Sequence, residues 1–137
     1  MVQFMVGTKG EGKTKKLIDR ANDQLKTTDG NLVFIDDDRR TSSGLHFSIR
    51  FVEAGKGQLS NYREFIGFLV GILAMDNDVK TVYIDGLTNI IKTLDAECLV
   101  KLSKKLQALS QREDVEFIIC LNWPVDEVPE EIKALQA

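Results

Sequence analysis

The sequence predicts a single α/β domain over residues 1–137: a three-layer sandwich whose mostly parallel sheet has four core strands plus an antiparallel edge strand or hairpin. Short apolar runs alternate along the chain with segments of helical periodicity, the order expected when helices connect parallel strands. The run at 32–35 is continuously apolar, as in a strand covered on both faces. Hydrophobic residues make up 43% of the 137, which suffices for one core but leaves little room for a second domain.

The first strand and the first helix are predicted at the start of the chain. Val2–Val6 is a short apolar run. From Lys13 the pattern becomes helical and continues to the turn at Asp29-Gly30, with a glycine-rich segment between the strand and the helix. The apolar residues of this helix share one face: Leu17, Ile18, Ala21 and Leu25.

A second core strand and a half-exposed strand come next. Leu32–Ile35 predicts a buried strand that ends abruptly at three aspartates. Apolar and polar residues then alternate over Leu45–Val52, which predicts the edge or hairpin strand. Ser60 is predicted to cap a helix over Asn61–Met75, whose wide apolar face would pack against the sheet.

The second half of the chain repeats the alternation. Thr81–Ile84 predicts the third core strand, and Asp95–Gln111 predicts an amphipathic helix. Val115–Leu121 predicts the fourth core strand. Glu127–Ala137, with Pro129 near its first turn, predicts a short closing helix.

Composition argues against several classes of protein. The net charge is -3 and the basic residues are mixed with acids, so no basic surface for nucleic acid is expected. No apolar run reaches the roughly 20 residues of a membrane span, and the N-terminus lacks the basic segment of a signal peptide. A cytoplasmic protein without a membrane partner is expected. Cys98 and Cys120 are isolated in apolar stretches and are predicted to be buried, reduced thiols.

The segment between the first strand and the first helix is predicted to bind phosphate. Residues 7–14 read GTKGEGKT and match G-x-x-x-x-G-K-[ST]. Glycines let backbone N–H groups approach phosphate oxygens, and the N-terminus of the following helix favours an anion. Lys13 is predicted to reach the terminal phosphates as a catalytic cation, and the Thr14 hydroxyl to bind Mg²⁺. The predicted nucleotide contacts are Gly7, Thr8, Lys9, Gly10, Glu11, Gly12, Lys13, Thr14 and Lys15.

With this motif the chain resembles the P-loop NTPase superfamily. The resemblance extends to Val82–Asp85, an apolar strand ending in Asp that is similar to a Walker B element and implies that Asp85 helps to hold Mg²⁺. The single intervening strand is similar to the RecA-like, additional-strand division, which implies that Val115–Leu121 lies between the first strand and the Walker B strand. The resemblance also implies that Asn122 senses the γ-phosphate; a turn residue is the alternative.

A local likeness to zinc-containing thymidine kinases rests on residues 17–22 and 84–85. Those kinases carry a zinc-binding region with cysteine pairs, which two isolated cysteines cannot supply. Their substrate is therefore not carried over to this chain.

The carboxylate that would orient an attacking water is not at its usual place. In the additional-strand division a Glu often follows the Walker B Asp, but here that position is Gly86. In RecA-like members it can stand at the end of the second core strand, where this chain has Asp36, Asp37 and Asp38. Side-chain alternation favours Asp36 or Asp38 as the catalytic carboxylate. A solvated acidic turn is the alternative.

Phosphoryl transfer also benefits from a cation that faces the developing charge. Arg39, Arg40 and Arg50 are the candidates within the chain, with surface roles or an arginine from a neighbouring subunit as alternatives. His46 is predicted to be an exposed histidine. Trp123 is predicted to pack in the core or an interface rather than to stack on a nucleotide base.

Three functions follow from the resemblance, each with ATP or ADP as the ligand. The first is a small Mg-dependent ATPase; the guanine-reading N-K-x-D motif is not present, which favours ATP over GTP. The second is a nucleotide-binding switch or assembly module with little or no hydrolysis, which Gly86 favours. The third is a small-molecule kinase, for which only the short insertion at 38–58 offers an acceptor pocket. An exposed sheet edge would favour a homo-oligomer, and the sequence specifies no other protein partner.

Overall fold

The computed structural model describes all residues, 1–137, and contains one five-stranded sheet in which every pair of neighbouring strands is parallel. The strands are β1 (Val2–Gly7), β2 (Asn31–Asp36), β3 (Arg50–Glu53), β4 (Val79–Ile84) and β5 (Glu116–Asn122). Their order across the sheet is β1-β5-β4-β2-β3. The fourth core strand, β5, therefore lies between β1 and β4, as predicted.

Helices cover both faces of the sheet and give the predicted three layers. The helices are α1 (Lys13–Gln24), α2 (Tyr62–Met75), α3 (Leu87–Ile90), α4 (Ala96–Glu113) and α5 (Glu130–Lys133). On one face, Leu17 and Ala21 of α1 belong to a cluster of 8 buried residues that includes Phe34 and Tyr83 of the sheet. On the other face, α2, α4 and α5 contribute to a cluster of 24 buried residues.

The spacing of apolar residues explains which faces are buried. In α2, Phe65, Leu69 and Leu73 recur every four residues and are all buried. In β2, every residue from Leu32 to Ile35 is buried, because helices cover this strand on both sides. Each fully buried side chain of this kind contributes roughly 1.5–3 kcal/mol to folding, so both clusters stabilise the packing of the helices on the sheet.

The register of the sheet brings the carboxyl ends of its strands together. Gly7 at the end of β1 pairs with Asn122 at the end of β5. Ile84 of β4 pairs with Ile119 on one side and with Ile35 on the other. The segments that follow β1, β2, β4 and β5 consequently meet at the same edge of the sheet, where open α/β sheets bind ligands.

The predicted antiparallel edge strand is wrong in both length and direction. β3 covers only Arg50–Glu53 and pairs with β2 in parallel. Residues 45–49 form a loop in which Phe47, one of the alternating apolar residues, is 92% exposed. Asn22 of α1 holds this loop, since its Nδ2 donates to the Gly44 carbonyl at 2.9 Å and its Oδ1 accepts from the His46 N–H at 2.9 Å. These backbone groups are thus bonded to a helix side chain and not to a neighbouring strand.

Two helix ends also differ from the prediction. Asn61, and not Ser60, caps α2, with its Oδ1 accepting from the Glu64 N–H at 3.0 Å. The Glu64 carboxylate accepts from the Ser60 N–H at 2.8 Å, which resembles a capping box displaced by one residue. The closing helix is reduced to α5, because Pro129 starts it and the chain then leaves the helix to pair with β1.

That pairing covers one edge of the sheet. The Phe4 N–H donates to the Leu135 carbonyl at 2.9 Å, and the Ala137 N–H donates to the Phe4 carbonyl at 3.0 Å. β3 forms the opposite edge. None of the helices combines the length and the apolar character needed to cross a lipid bilayer. Of the two thiols, Cys120 is buried as predicted, whereas Cys98 is only half-buried.

Candidate functional site

A cavity of about 690 Å³ opens at the edge where the strand ends meet. The glycine-rich loop (residues 7–14) and the segment 40–44 after β2 both contribute residues to its walls. Its lining residues are Lys9, Gly10, Gly12, Lys13, Thr14, Ile18, Asp36, Asp37, Arg40, Thr41, Ser43, Gly44, Asp85, Gly86, Asn89 and Asn122. Only one of these side chains is hydrophobic, so the cavity suits a polar or charged ligand.

The glycine-rich loop needs glycine at two of its positions. Gly10 has a φ of 91° and Gly12 a φ of 78°, both in the left-handed region that side chains with a Cβ rarely adopt. Gly12 stands immediately before α1, and its left-handed backbone turns the chain into the helix. The two glycines therefore allow the loop to turn tightly into the first turn of α1.

Seven consecutive backbone amides of this loop, from Lys9 to Lys15, donate no hydrogen bond within the protein. The first turn of any helix leaves such groups free, but here they extend four residues back from Lys13, where α1 begins. The first amide of the helix that is bonded belongs to Lys16, which donates to the Gly12 carbonyl at 3.2 Å. A row of free amides at a helix N-terminus attracts an anion with several oxygens.

Two charged side chains, Lys13 and Glu11, make hydrogen bonds to Thr8 within the loop. The Lys13 Nζ donates to the Thr8 carbonyl at 2.6 Å, which places its ammonium across the loop. The Glu11 carboxylate accepts from the Thr8 N–H at 3.2 Å and from the Thr8 hydroxyl at 2.5 Å. These hydrogen bonds lower the pKa of Glu11. A Cβ at Gly7 would lie 2.4 Å from this carboxylate, so Gly7 leaves room for the bridge between Glu11 and Thr8.

Thr14 and Asp85 are brought into direct contact at the floor of the cavity. The Thr14 hydroxyl donates to Asp85 Oδ2 at 2.7 Å, and Asp85 Oδ1 accepts from the Gly86 N–H at 2.8 Å. Asp85 is only 8% exposed. A hydroxyl and a carboxylate at this distance are the hard oxygen donors that Mg²⁺ prefers.

Asp36 ends β2 and is buried in the cavity wall. Its carboxylate accepts from the Asp37 N–H at 2.7 Å and from the Thr41 hydroxyl at 2.9 Å. Burial, reinforced by the adjacent Asp37 carboxyl, raises the pKa of Asp36 to about 7. A carboxyl with this pKa exchanges a proton near neutral pH.

Gly86 leaves room for the Asp36 and Asp37 carboxyl groups that line the cavity. A Cβ at position 86 would lie 2.4 Å from Asp37 Oδ1 and 2.7 Å from Asp36 Oδ1. The φ of Gly86 is 70°, again in the left-handed region. The Asp36 and Asp37 carboxyl groups at the end of β2 therefore reach the backbone of the residue after Asp85, the position at which the additional-strand division often has a Glu.

The three aspartates after β2 do not follow the predicted alternation. Asp36 and Asp37 both line the cavity, whereas Asp38 lies outside it and pairs with Arg40. The alternation that favoured Asp38 over Asp37 as the catalytic carboxylate does not hold here, because the strand ends at Asp36 and the chain turns there. The Arg40 hydrogen bonds lower the pKa of Asp38.

The three candidate arginines have different environments in the structure, and only one lines the cavity. Arg40 lines the cavity. Arg39 lies over the Phe51 ring, with its guanidinium carbon 5.3 Å from the ring centroid. Arg50 pairs with Asp76 at 3.3 Å. Sequence reasoning named Arg40 only as one of three and missed Thr41, Ser43 and Asn89, since no motif marks these cavity residues.

The remaining predicted residues divide between the cavity and its surroundings. Asn122 lines the cavity beside Gly7, and Lys15 points away and pairs with Asp19 at 3.0 Å. Gly7, Thr8 and Glu11 support the loop without lining the cavity. Trp123 packs against the larger core cluster, and His46 is exposed, as predicted for both.

The cavity balances three acidic side chains against three basic ones. The acids are Asp36, Asp37 and Asp85, and the bases are Lys9, Lys13 and Arg40. Lys9 and Lys13 belong to the glycine-rich loop and Arg40 to the segment after β2, while the acids lie at or just after the ends of β2 and β4.

No family model matches the chain, and no curated protein matches it.

Proposed function

We propose that this protein binds Mg-ATP as a P-loop nucleotide-binding protein and hydrolyses it slowly to ADP and phosphate. The observation that carries the proposal is the row of free amides from Lys9 to Lys15, in a loop that lines a polar cavity and that the Lys13 side chain crosses to reach the Thr8 carbonyl. A polyphosphate supplies the many acceptor oxygens that such a row requires. A single small anion would use only a few of these donors.

The Lys13 ammonium supports a role at the terminal phosphates. Its Nζ donates to the Thr8 carbonyl, so the ammonium lies within the loop. Bound phosphates would draw it into charge-assisted hydrogen bonds, which are about twice as strong as neutral ones. Lys13 thus binds the nucleotide and neutralises charge on the phosphoryl group.

The donors present fit a magnesium ion. Thr14 and Asp85 would hold it, since their oxygens already lie 2.7 Å apart beside the first turn of α1. The ion supplies positive charge to the phosphates when bound. It would also offset the carboxylates of the cavity, which otherwise repel a polyphosphate.

Asp36 is the carboxyl group best placed to act on an attacking water. In its ionised form it accepts the proton of the water as the bond between the water oxygen and the γ-phosphorus forms. The bond between the γ-phosphorus and the bridging oxygen breaks, and its electron pair leaves with ADP. The space above Gly86 lets the Asp36 carboxyl stand beside Asp85, in the place of the Glu that the chain lacks.

A specific observation favours the second function, a nucleotide-dependent switch with little turnover. The ionised Asp36 carboxylate is engaged by the Thr41 hydroxyl and the Asp37 N–H. These two hydrogen bonds weaken Asp36 as a base and make hydrolysis slow. The preference for ATP rests on the sequence resemblance alone.

Calorimetry with a non-hydrolysable ATP analogue and Mg²⁺ tests the proposal, followed by an assay of phosphate release from ATP. Lys13→Ala should weaken binding by about 100-fold, because it removes charge-assisted hydrogen bonds worth roughly 3 kcal/mol. Lys104→Ala is the matched control, since this exposed lysine lies on α4, on the face of the sheet opposite α1. Equal affinities for the two variants would refute the P-loop proposal.

A further inference from the structure

The part of the glycine-rich loop at residues 8–11 is held by three hydrogen bonds, all of them to Thr8. The Glu11 carboxylate accepts from the Thr8 N–H at 3.2 Å and from the Thr8 hydroxyl at 2.5 Å. The Lys13 Nζ donates to the Thr8 carbonyl at 2.6 Å. These four residues belong to no helix or strand and make no other hydrogen bond. The order of the loop therefore depends on the contacts that Glu11 and Lys13 make with Thr8.

The two contacts differ in their relation to the cavity. Lys13 lines the cavity and carries the charge that phosphates attract, so its N–H donors are shared between the Thr8 carbonyl and a ligand. Thr8 and Glu11 do not line the cavity. The bridge between the Glu11 carboxylate and Thr8 can therefore stay in place whether or not a ligand is bound.

The glycine that opens the loop leaves space for this bridge. The φ of Gly7 is not in the left-handed region, so its backbone conformation alone does not require glycine. A Cβ at this position would lie 2.4 Å from Glu11 Oε2 and 3.2 Å from Glu11 Cδ. The carboxylate thus packs against the Gly7–Thr8 peptide. Its hydrogen bonds with Thr8 lower the pKa of Glu11, which keeps the carboxylate ionised at neutral pH.

We propose that Glu11 and Thr8 are positioning residues, and that the bridge between them fixes the glycine-rich loop in the form that binds a polyphosphate. This inference rests on the proposed function and gives the two residues a role without contact to the ligand. The free amides from Lys9 to Lys15 can bind several phosphate oxygens at once only when their positions are fixed. A loop that is already ordered loses less conformational freedom when the ligand binds, so the bridge increases affinity.

Two substitutions of Glu11 separate the bridge from the charge. Glu11→Gln removes the charge but keeps an oxygen that accepts both hydrogen bonds, whereas Glu11→Met is uncharged and of similar length but lacks this oxygen. Calorimetry on the full-length protein with the ATP analogue and Mg²⁺ should show that Glu11→Met binds about tenfold more weakly than Glu11→Gln. Glu11→Gln should stay within about threefold of wild type. Glu113→Met, at an exposed position at the end of α4, is the control.

A double-mutant cycle tests the pairing with Thr8. Thr8→Val removes the hydroxyl but keeps the shape of the side chain. It should weaken binding of the ATP analogue about threefold in the wild-type background and have no effect when combined with Glu11→Met. Amide hydrogen exchange measures the bridge without nucleotide: the Thr8 N–H should exchange faster in Glu11→Met than in Glu11→Gln. Circular dichroism and thermal unfolding establish that each variant is folded.

The outcomes separate this inference from the proposed function. If Glu11→Met and Glu11→Gln bind the ATP analogue equally well, the bridge does not position the loop, whereas nucleotide binding through Lys13 stands. An effect of Thr8→Val that is as large with Glu11→Met as in wild type would also overturn the pairing. If the wild-type protein binds no nucleotide, both proposals fail.

Discussion

The Thr14 hydroxyl donates a hydrogen bond to the Asp85 carboxylate at 2.7 Å, although 71 positions separate the two residues in the chain. The contact joins the first turn of α1 to the end of β4. It exists because β5 lies between β1 and β4 and keeps the two strand ends close. One consequence concerns the dependence of nucleotide binding on magnesium.

Asp85→Asn should weaken binding of the ATP analogue in the presence of Mg²⁺ by about tenfold, because it removes a charged oxygen from the proposed ion site. In EDTA the same change should leave binding equal or stronger, since it also removes a negative charge from the cavity. Calorimetry with and without Mg²⁺ measures both effects. Asp126→Asn, in an exposed turn, is the control. Equal losses under both conditions would show that Asp85 has no specific role with the ion.

Gly86→Ala should destabilise the fold by about 2 kcal/mol or more. The added Cβ would collide with the Asp36 and Asp37 carboxyl groups, and the φ of 70° is unfavourable for alanine. Urea unfolding measures the change. Gly67→Ala is the matched control: Gly67 lies inside α2, and a Cβ there meets nothing within 4 Å. That variant should be more stable than wild type by roughly 0.5–1 kcal/mol. Destabilisation of both variants alike would rule out the crowding around Gly86.

Asp36 should make the stability of the protein depend on pH. Its pKa in the folded state, about 7, lies above its ordinary value of 3.8, so the folded state binds the proton more tightly than the unfolded state. The stabilisation is complete below about pH 4 and is lost as pH rises through 7, by an amount on the order of 4 kcal/mol. Urea unfolding between pH 4 and 8, without nucleotide or Mg²⁺, measures this slope. Asp36→Asn should flatten it; an unchanged slope would assign it to other groups.

The two cysteines should react at different rates with a thiol reagent. Cys120 is buried beneath α1, its thiol donates to the Lys13 carbonyl at 3.5 Å, and burial raises its pKa to about 12. Cys98 is half-buried at the start of α4, so a reagent reaches it in the folded protein. The Cys98→Ser variant should therefore show no rapid reaction until denaturant is added. Rapid reaction of Cys120 in that folded variant would mean that the first turn of α1 opens readily.

The sequence predicted those features that depend on neighbouring residues in the chain. The glycine-rich loop and the core strands follow from local patterns, and the position of β5 followed from the family resemblance. The alternation over Leu45–Val52 predicted a strand that is largely a loop. Asn22 of α1 makes hydrogen bonds to the backbone of this loop, and the Phe47 side chain is exposed. The steric reason for Gly86 could not be predicted either, because it depends on carboxyl groups that lie about 50 positions earlier in the chain.

The cavity wall formed by residues 40–44 illustrates the same limit. Arg40 was one of three candidates with equal claims, and only the contacts of Arg39 and Arg50 with other partners single it out. Asp37 was set aside on alternation, which holds within a strand but fails where the strand ends. Roles that arise from packing between distant segments are therefore read from the structure and not from the sequence.

The pairing of Phe4 with Leu135 and Ala137 limits how copies of this protein can join through their sheets. Because the middle of β1 is already hydrogen-bonded at Phe4, β3 is the edge strand without a paired segment of the chain. A sheet that grows from one side alone closes after a single partner has been added. Assembly by this route would end at a pair and could not propagate into a fibre.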